Sequence, residues 1–423
     1  MTIDRLKKIL YFPLASYFRF FARIRLKKWH PRIIVITGSS GKTTLLHLIE
    51  SQLQTKALYS HHANSSYGIP FHILGLERKT LAVYEWIGLF FKTPFYAFKK
   101  SPREKLYVVE ADCDRPGEGK FLAEFLRPEV TLWVSISKTH SMNFDELVTT
   151  GIFKTIEDAI AHEFGYFIEY TSHTVIVNAD SPYINSQLSR TKMAIQKIHK
   201  KQLLNNYSVS QSTTTFTINH KKCKFSYLLP ETAVYGITLC LSLMKYLREP
   251  IDDSFSHFTL PPGRSSRFKG IRDTTIIDST YNANLSSMTT ILELFEKLPL
   301  TKKWIIAGDM LEQGKSEKEE HEKLAHILSQ NCCERIILMG KRVSQYTFPL
   351  LNKKKTIPTV AFQTPIEVLQ YLQKNIIGGE TLLFKGARFL EGVIENLLEN
   401  KKQVSQLVRR EKVWEKRRKQ WGL

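Results

Sequence analysis

One segment of the sequence combines residue types and spacing that point to phosphate chemistry: Gly38-Ser39-Ser40-Gly41-Lys42-Thr43-Thr44. Gly38 and Gly41 permit a tight turn that directs backbone N–H groups at a phosphate, with Ser39, Ser40 and Thr44 in the same cradle. The Lys42 ammonium can reach the β and γ oxygens of ATP, and the Thr43 hydroxyl can ligate Mg²⁺. The β-branched run Arg32-Ile33-Ile34-Val35-Ile36-Thr37 precedes the loop, and a helical pattern follows at Leu45, Leu46, Leu48, Ile49 and Leu53. Strand, turn and helix form the context a phosphate loop needs, and the helix start favours an anion. The loop has the shortened form Gly-x-x-Gly-Lys-Thr, because Ile36 stands where the longer form has its first glycine.

Further chemistry clusters after two other apolar runs. Glu110 closes Leu106-Tyr107-Val108-Val109, and Asp112 and Asp114 follow it. In open α/β sheets ligands sit beyond the carboxyl ends of strands, so a carboxylate there can hold Mg²⁺. His140 follows Val130-Thr131-Leu132-Trp133-Val134 and is expected at the same sheet edge. Lys154 lies in a stretch read as helical from Phe144-Asp145-Glu146 onward.

The elements that must position these groups alternate strand and helix, which indicates an α/β domain with a mainly parallel sheet. Another strand is expected at Thr174–Val177, and residues 210–228 read as an edge hairpin. Thr259-Leu260-Pro261-Pro262-Gly263 marks a boundary. Beyond it, a second α/β series has strands at 275–277, 303–306, 335–338 and 381–384. The expected organisation is residues 1–30, a basic amphipathic segment; 31–260, an ATP-binding domain; 261–400, a second α/β domain; and 401–423, a basic tail. In residues 3–29, Leu6, Leu10, Leu14, Tyr17, Phe21 and Ile24 recur at helical spacing, with Pro13 expected to kink or restart the helix.

The chain has 61 Lys and Arg against 40 Asp and Glu, a formal charge of +21, with much of the excess in residues 1–30 and 401–423. For residues 1–30 two settings are expected alike: an anionic membrane surface, met through an apolar stripe ringed by cations, or packing of the helix on the chain's own ATP-binding domain or a partner. No specific nucleic-acid partner is expected, since basic ends alone do not select one. Cys113, Cys223, Cys240, Cys332 and Cys333 show neither metal-ligand spacing nor a disulfide framework, which fits reduced thiols in a cytoplasmic protein. No apolar stretch is long enough to span a bilayer, and no cleaved signal is evident.

Together these motifs resemble the Mur ligase family, in particular its D-Ala-D-Ala-adding branch. Residues 36–44 look like its phosphate loop, and Asn64-Ser65-Ser66-Tyr67-Gly68-Ile69-Pro70 is similar to its Asn-x-x-x-Gly-x-Pro stretch. Glu110 and His140 fall at its metal-site residues, Lys154 at the lysine it carbamylates, and Asn178-Ala179-Asp180 at its Asn-x-Asp. Pro262-Gly263-Arg264 resembles the Gly-Arg that opens its last domain. Asp278-Ser279-Thr280-Tyr281-Asn282-Ala283-Asn284 is similar to its ATP-contacting segment. Gly308-Asp309-Met310-Leu311-Glu312 with His321, and Lys385-Gly386-Ala387-Arg388, match its later blocks.

The resemblance implies a P-loop ATPase domain followed by a Rossmann-like domain. It implies ligation of a carboxylate to an amine through an acyl phosphate, using ATP and two Mg²⁺ ions. Lys42, Glu110, His140 and Lys154 would be the catalytic set, and Thr43, Glu110, His140 and carbamylated Lys154 the metal ligands. Arg264, Asp278, Asn282 and Asn284 would meet the nucleotide. The implied substrates are a cell-wall peptide precursor as the acid and an amino acid or dipeptide as the amine.

The sequence also departs from the family pattern. Only residues 1–30 stand where the family has a uridine-binding domain, Ser135-Ile136-Ser137 replaces Asn-Ile-Gly, Ser279 replaces a second Asp, and Leu285 replaces a Pro. These departures bear on the substrate more than on ATP. A folate-type or other glutamate ligase would share the loop and the lysine, but the segments at 281–284 and 308–310 argue against it. An ATP-binding partner subunit of a cell-wall-modifying complex is a further alternative, and retention of the catalytic set argues against that.

Overall fold

The computed structural model of the chain describes residues 3–78, 83–386 and 388–423. The first unit begins with α1 (Ile3–Trp29), β1 (Arg32–Thr37), α2 (Lys42–Leu53), β2 (Ala57–Tyr59), α3 (Gly68–Leu74) and α4 (Val83–Ala97). It continues with β3 (Leu106–Glu110), α5 (Glu118–Leu126), β4 (Val130–Trp133), α6 (Asp145–Thr149), α7 (Ile156–Glu169), β5 (Thr174–Asn178), α8 (Pro182–Asn185) and β6 (Ala194–Ile198). The six strands form one parallel sheet in the order β2-β3-β1-β4-β5-β6. Its central strands are covered on both faces, which is why they read as unbroken apolar runs. Tyr107, Trp133 and Val175 pack toward α1, α3, α5 and α7. Ile34, Ile36, Val108 and Leu132 pack on the other face, toward α2 and α10 (Ala233–Leu247).

After the short α9 (Lys200–Leu203) come β7 (Leu204–Val209), β8 (Thr214–Ile218) and β9 (Lys221–Phe225), which form a separate antiparallel sheet. Residues 210–228, expected as an edge hairpin, form the β8–β9 hairpin, and β7 before them adds a third strand. Phe216, Ile218 and Phe225 alternate inward and meet Phe255 and Phe258, so the sheet caps the α2–α10 layer instead of extending the parallel sheet.

The second unit holds β10 (Ser266–Lys269), β11 (Thr275–Ser279), α11 (Leu285–Lys297), β12 (Lys303–Gly308), α12 (Glu317–Ser329), β13 (Arg335–Met339), α13 (Phe348–Lys354), β14 (Thr359–Phe362), α14 (Pro365–Asn375), β15 (Thr381–Lys385), α15 (Leu390–Leu397) and α16 (Lys412–Lys419). Its sheet order is β10-β11-β15-β12-β13-β14, parallel except for β10. α11, α12 and α13 cover one face, and α14 and α15 the other.

Both chain ends are more integrated than expected. α1 runs past Pro13 without a break, with Ile9 and Pro13 on its exposed side, where a freed carbonyl can meet water. Its buried stripe is Ala15, Phe18, Ala22, Leu26 and Trp29, whereas Leu10 and Leu14 stay partly exposed. The Leu6 side chain lies outside those described. Ala15 and Ala22 let α1 approach closely, and the Phe18 ring meets Phe71 edge-on at 4.8 Å. Arg25 donates to the carbonyls of Leu74, Tyr96 and Lys100, tying down the ends of α3 and α4. Residues 1–30 are thus not a free amphipathic segment, because one side of the helix belongs to the core. Residues 401–423 are likewise not a loose tail. Leu407 and Arg418 are buried, Arg409 pairs with Glu391, and Arg410 pairs with Glu395.

Candidate functional site

The parallel register brings the ends of β1, β3 and β4 side by side, with Ile36 beside Glu110 and Thr37 beside Trp133. The loop leaving β1 is held against the segment leaving β4. Gly38 has φ +128°, and a Cβ there would lie 2.7 Å from the Ser135 carbonyl oxygen. Ser39 N–H donates to that oxygen at 3.0 Å, and Ser40 N–H donates to Ser135 Oγ at 2.9 Å. Ser39 Oγ donates to the Ser137 carbonyl at 2.9 Å and accepts from Ser137 N–H at 3.0 Å. The unusual Ser135-Ile136-Ser137 thus braces the loop. α2 starts at Lys42 behind Gly41 with no side-chain cap, which leaves its first N–H groups and positive end open to an anion.

Lys42 is buried. Its Nζ donates to the Gly38 carbonyl and pairs with Asp112 at 2.7 Å. Burial works against the ammonium, but Asp112 and Glu110 outweigh it and hold the pKa above the ordinary lysine value. Glu110 is also buried, and burial pushes its pKa up although Lys42 opposes this. It accepts from the Thr43 hydroxyl at 3.2 Å. His140, in a left-handed backbone conformation, bridges Asp114 at 3.1 Å and Glu312 at 2.6 Å. Burial opposes its protonation, yet Glu312, Asp114 and Asp112 raise its pKa to about 9. Burial moves Asp114 up to about 6. Ligand atoms of Asp112, Asp114 and His140 lie within 4.8 Å of one another.

Asp114 is supported from beneath. The fully buried Glu118 accepts Asp114 N–H on one carboxylate oxygen at 3.0 Å. On the other it accepts Ser66 N–H at 3.0 Å and the Tyr11 hydroxyl of α1 at 2.9 Å.

The second unit forms the opposite wall. Arg264 donates to Thr43 Oγ at 3.0 Å and lies 3.9 Å over the Tyr281 ring. Asn284 caps α11 through Ser287 and reaches Ser137 Oγ at 3.4 Å. Lys385 donates to the Asn282 carbonyl at 2.6 Å. Burial and the nearby Arg264 lower the Lys385 pKa to about 7, although Asp278 opposes them. The cleft between the units has a volume of about 490 Å³.

Of the expected site residues, Ser39, Ser40, Gly41, Lys42, Thr43, Thr44, Glu110, His140, Arg264, Asn282 and Asn284 line this cleft. Gly38 lies behind the loop and permits its approach to Ser135. Asp278 does not reach the cleft. Strand alternation turns it inward, where Thr280 N–H and hydroxyl bind its Oδ1 and burial raises its pKa, while Ser279 faces the cleft. Lys154 is also elsewhere. It is exposed in the turn before α7, because the capping box of Thr155 and Asp158 starts the helix at Ile156. The helical setting expected for Lys154 is therefore absent, and the residue does not line the cleft.

Several cleft residues had no role assigned from the sequence. Asn178 and Lys385 lie inside the motifs named above, and Asp112 and Asp114 stand next to Glu110; Glu312, in another motif, meets the cleft through His140. Tyr235, which lines the cleft and donates to Asp180 at 2.6 Å, carried no local signal. Ala387, in the last motif, lies outside the described residues.

Comparison with known proteins gives two family matches, the Mur ligase middle domain over residues 36–235 and the Mur ligase glutamate ligase domain over residues 263–388. Similar sequences include the UDP-N-acetylmuramoyl-tripeptide–D-alanyl-D-alanine ligase of Buchnera aphidicola, 23% identical over 394 residues, covering 89% of this chain and 78% of the relative. The Bacillus subtilis enzyme of the same name is 23% identical over 394 residues, covering 90% and 78%. Among solved structures, MurF from Acinetobacter baumannii aligns with a TM-score of 0.73 at 20% identity, covering 92% of this chain and 80% of that one. MurF ligase from Thermotoga maritima in complex with ADP aligns with a TM-score of 0.70 at 22% identity, covering 95% and 84%. At such identities the likeness to solved structures establishes the shared fold.

Proposed function

Because the chain belongs to the Mur ligase family of ATP-dependent carboxylate–amine ligases, we propose that it joins an amino acid or dipeptide to a cell-wall peptide precursor. The observation that carries this reading is the convergence of two sets of groups on one cleft. The phosphate loop with Lys42, Thr43 and Glu110 stands on one wall, and Arg264, Asn282, Asn284 and Lys385 stand on the other. Likeness to several UDP-N-acetylmuramoyl-tripeptide–D-alanyl-D-alanine ligases supports a dipeptide as the amine.

In this reading Lys42 exchanges Asp112 for phosphate oxygens of ATP, and the loop N–H groups and the start of α2 hold the same charge. A carboxylate oxygen of the acid attacks the γ-phosphorus as the bond to ADP breaks, giving an acyl phosphate. The amine then attacks the acyl carbon, phosphate leaves, and the nitrogen loses a proton. Arg264 and Lys385 face the leaving phosphates from the second unit, and closure of the two walls keeps water from the acyl phosphate.

The donors suit Mg²⁺, since Thr43, Glu110, Asp112 and Asp114 offer hard oxygens, with His140 beside them. When bound, such an ion would neutralise phosphate charge and orient the acid. Lys154 in carbamylated form would join this set only after the turn before α7 moves.

The test is the joint requirement for both substrates. Purified protein should release ADP and phosphate only with an acid and an amine together, with a mass-detected amide product. Lys42→Ala should lower the rate at least about 100-fold. Glutamate offered as the amine tests the alternative of a glutamate ligase. Absence of turnover with every acid–amine pair, alongside intact ATP binding, would instead support a partner subunit. Full activity in Lys154→Ala would remove that lysine from the metal set.

A further inference from the structure

α4 carries an apolar face that the cleft does not use. One side of the helix packs inward. The Phe90 ring lies 4.9 Å from Tyr17 and 5.0 Å from Phe18, and Leu89 and Ala97 are buried. On the other side, Tyr84, Ile87, Phe91 and Phe95 recur at spacings of three and four, and Phe98 continues the line just past the helix. These five are 70%, 61%, 73%, 76% and 63% exposed. α1 adds Leu10 and Leu14, partly exposed on the helix face that carries Tyr17. Isolated exposed apolar residues are ordinary, but an aligned run of large ones marks an interaction surface.

The charge around this line is mainly positive. Lys92 lies within α4, and Lys99, Lys100 and Arg103 follow its end. Across from them, Lys28 is exposed on α1. Glu85 is the only acidic residue in 83–103. Two of the cations lie over rings at the margin, Lys28 over Phe98 at 4.4 Å and Lys99 over Tyr96 at 3.2 Å.

We propose that this α1–α4 face lies on an anionic phospholipid surface, with the α4 line buried at the headgroup boundary. Apolar residues flanked by Lys and Arg are the composition an interfacial helix needs, and the cations meet lipid phosphates. A second copy of the chain is the poorer occupant, because it would bring the same cations against these. Attachment is peripheral, since among the described residues no helix is long and apolar enough to cross a membrane. The face lies outside the cleft, so the inference stands independently of the ligase reading.

The experiment is vesicle sedimentation of the full chain. It should pellet with vesicles containing phosphatidylglycerol, stay in the supernatant with phosphatidylcholine alone, and release as salt rises. The double variant Phe91→Glu, Phe95→Glu should lose at least about tenfold in bound fraction, since it removes apolar anchors and adds repulsive charge. Its circular dichroism and melting temperature should match the wild type. In the unaltered chain, amide exchange across residues 84–98 should slow on the same vesicles, a readout that needs no variant. The proposal is overturned if the wild type stays in the supernatant at low salt, or if the double variant binds equally. It is also overturned if the wild type is a dimer that the double variant splits, which would make the face a contact between copies.

Discussion

Lys385 has a carbonyl, not a carboxylate, as its hydrogen-bond partner, and its pKa near 7 makes its charge responsive to what occupies the cleft. Its folded pKa lies below that of a free lysine, so between about pH 7 and pH 10.4 the folded chain holds fewer protons than the unfolded one. The lysine therefore costs stability below pH 7, and that cost is relieved as pH rises across this window. A polyphosphate in the cleft would favour the charged form. Nucleotide binding near pH 8 should then take up a proton, detected by calorimetry in buffers of different ionisation heat, and Lys385→Met should abolish the uptake. Equal heats for wild type and variant would refute the assignment. Placement at the cleft was legible where local chemistry was strong, as at Lys42 and Thr43. It was not legible at Asp278, because the sequence does not say which of Asp278 and Ser279 strand alternation turns toward the cleft. Lys154 stands outside a helix because the capping signal Thr155-x-x-Asp158 lies just after it and starts α7 there.

At the level of elements, the phosphate loop depends on a backbone approach that only Gly38 permits. Gly38→Ala combines a left-handed φ with a clash on the Ser135 backbone. It should cost more than about 1 kcal/mol in denaturant unfolding and weaken nucleotide binding at least about tenfold. At Gly41, where a Cβ would meet only a Val134 methyl at 3.0 Å, alanine should be milder in both measurements. If the two variants behave alike, contact with Ser135 is not what shapes the loop. Buried parallel strands such as β1, β3 and β12 were legible because both faces are covered and their central positions form an apolar run. β7 was not, since Asn205, Asn206 and Ser208 give it no such run. The packing face of α1 is not legible in the sequence, because Ala15 and Ala22 carry little hydrophobic signal, yet they set how closely the helix approaches.

Across the whole molecule, the two units keep largely separate hydrophobic cores and meet through polar groups. His140 with Glu312, Lys138 with Glu320 at 3.0 Å, and Lys315 N–H with Asp145 at 2.9 Å cross the junction. These pairs, of which the two salt bridges are part-buried, join the two units without belonging to either core, so they set the balance of opening more than the stability of either unit. Lys138→Ala with Glu312→Ala should leave both units folded, expand the molecule in solution scattering, and speed proteolytic cleavage near residues 259–263. An unchanged scattering profile would show that the junction is held by other contacts. These pairings join residues far apart in sequence, so no local pattern announced them. The carboxylate of Glu118 has a different kind of reach, because its three donors come from α1, from the Ser66 loop and from Asp114 in the cleft. Shortening the chain to begin at residue 31 would remove Tyr11, one of the three, together with Phe18 and Trp29 from the core. Such a protein should melt earlier and ligate more slowly even with no lipid present. What looks like a removable leader is part of the foundation on which the cleft rests.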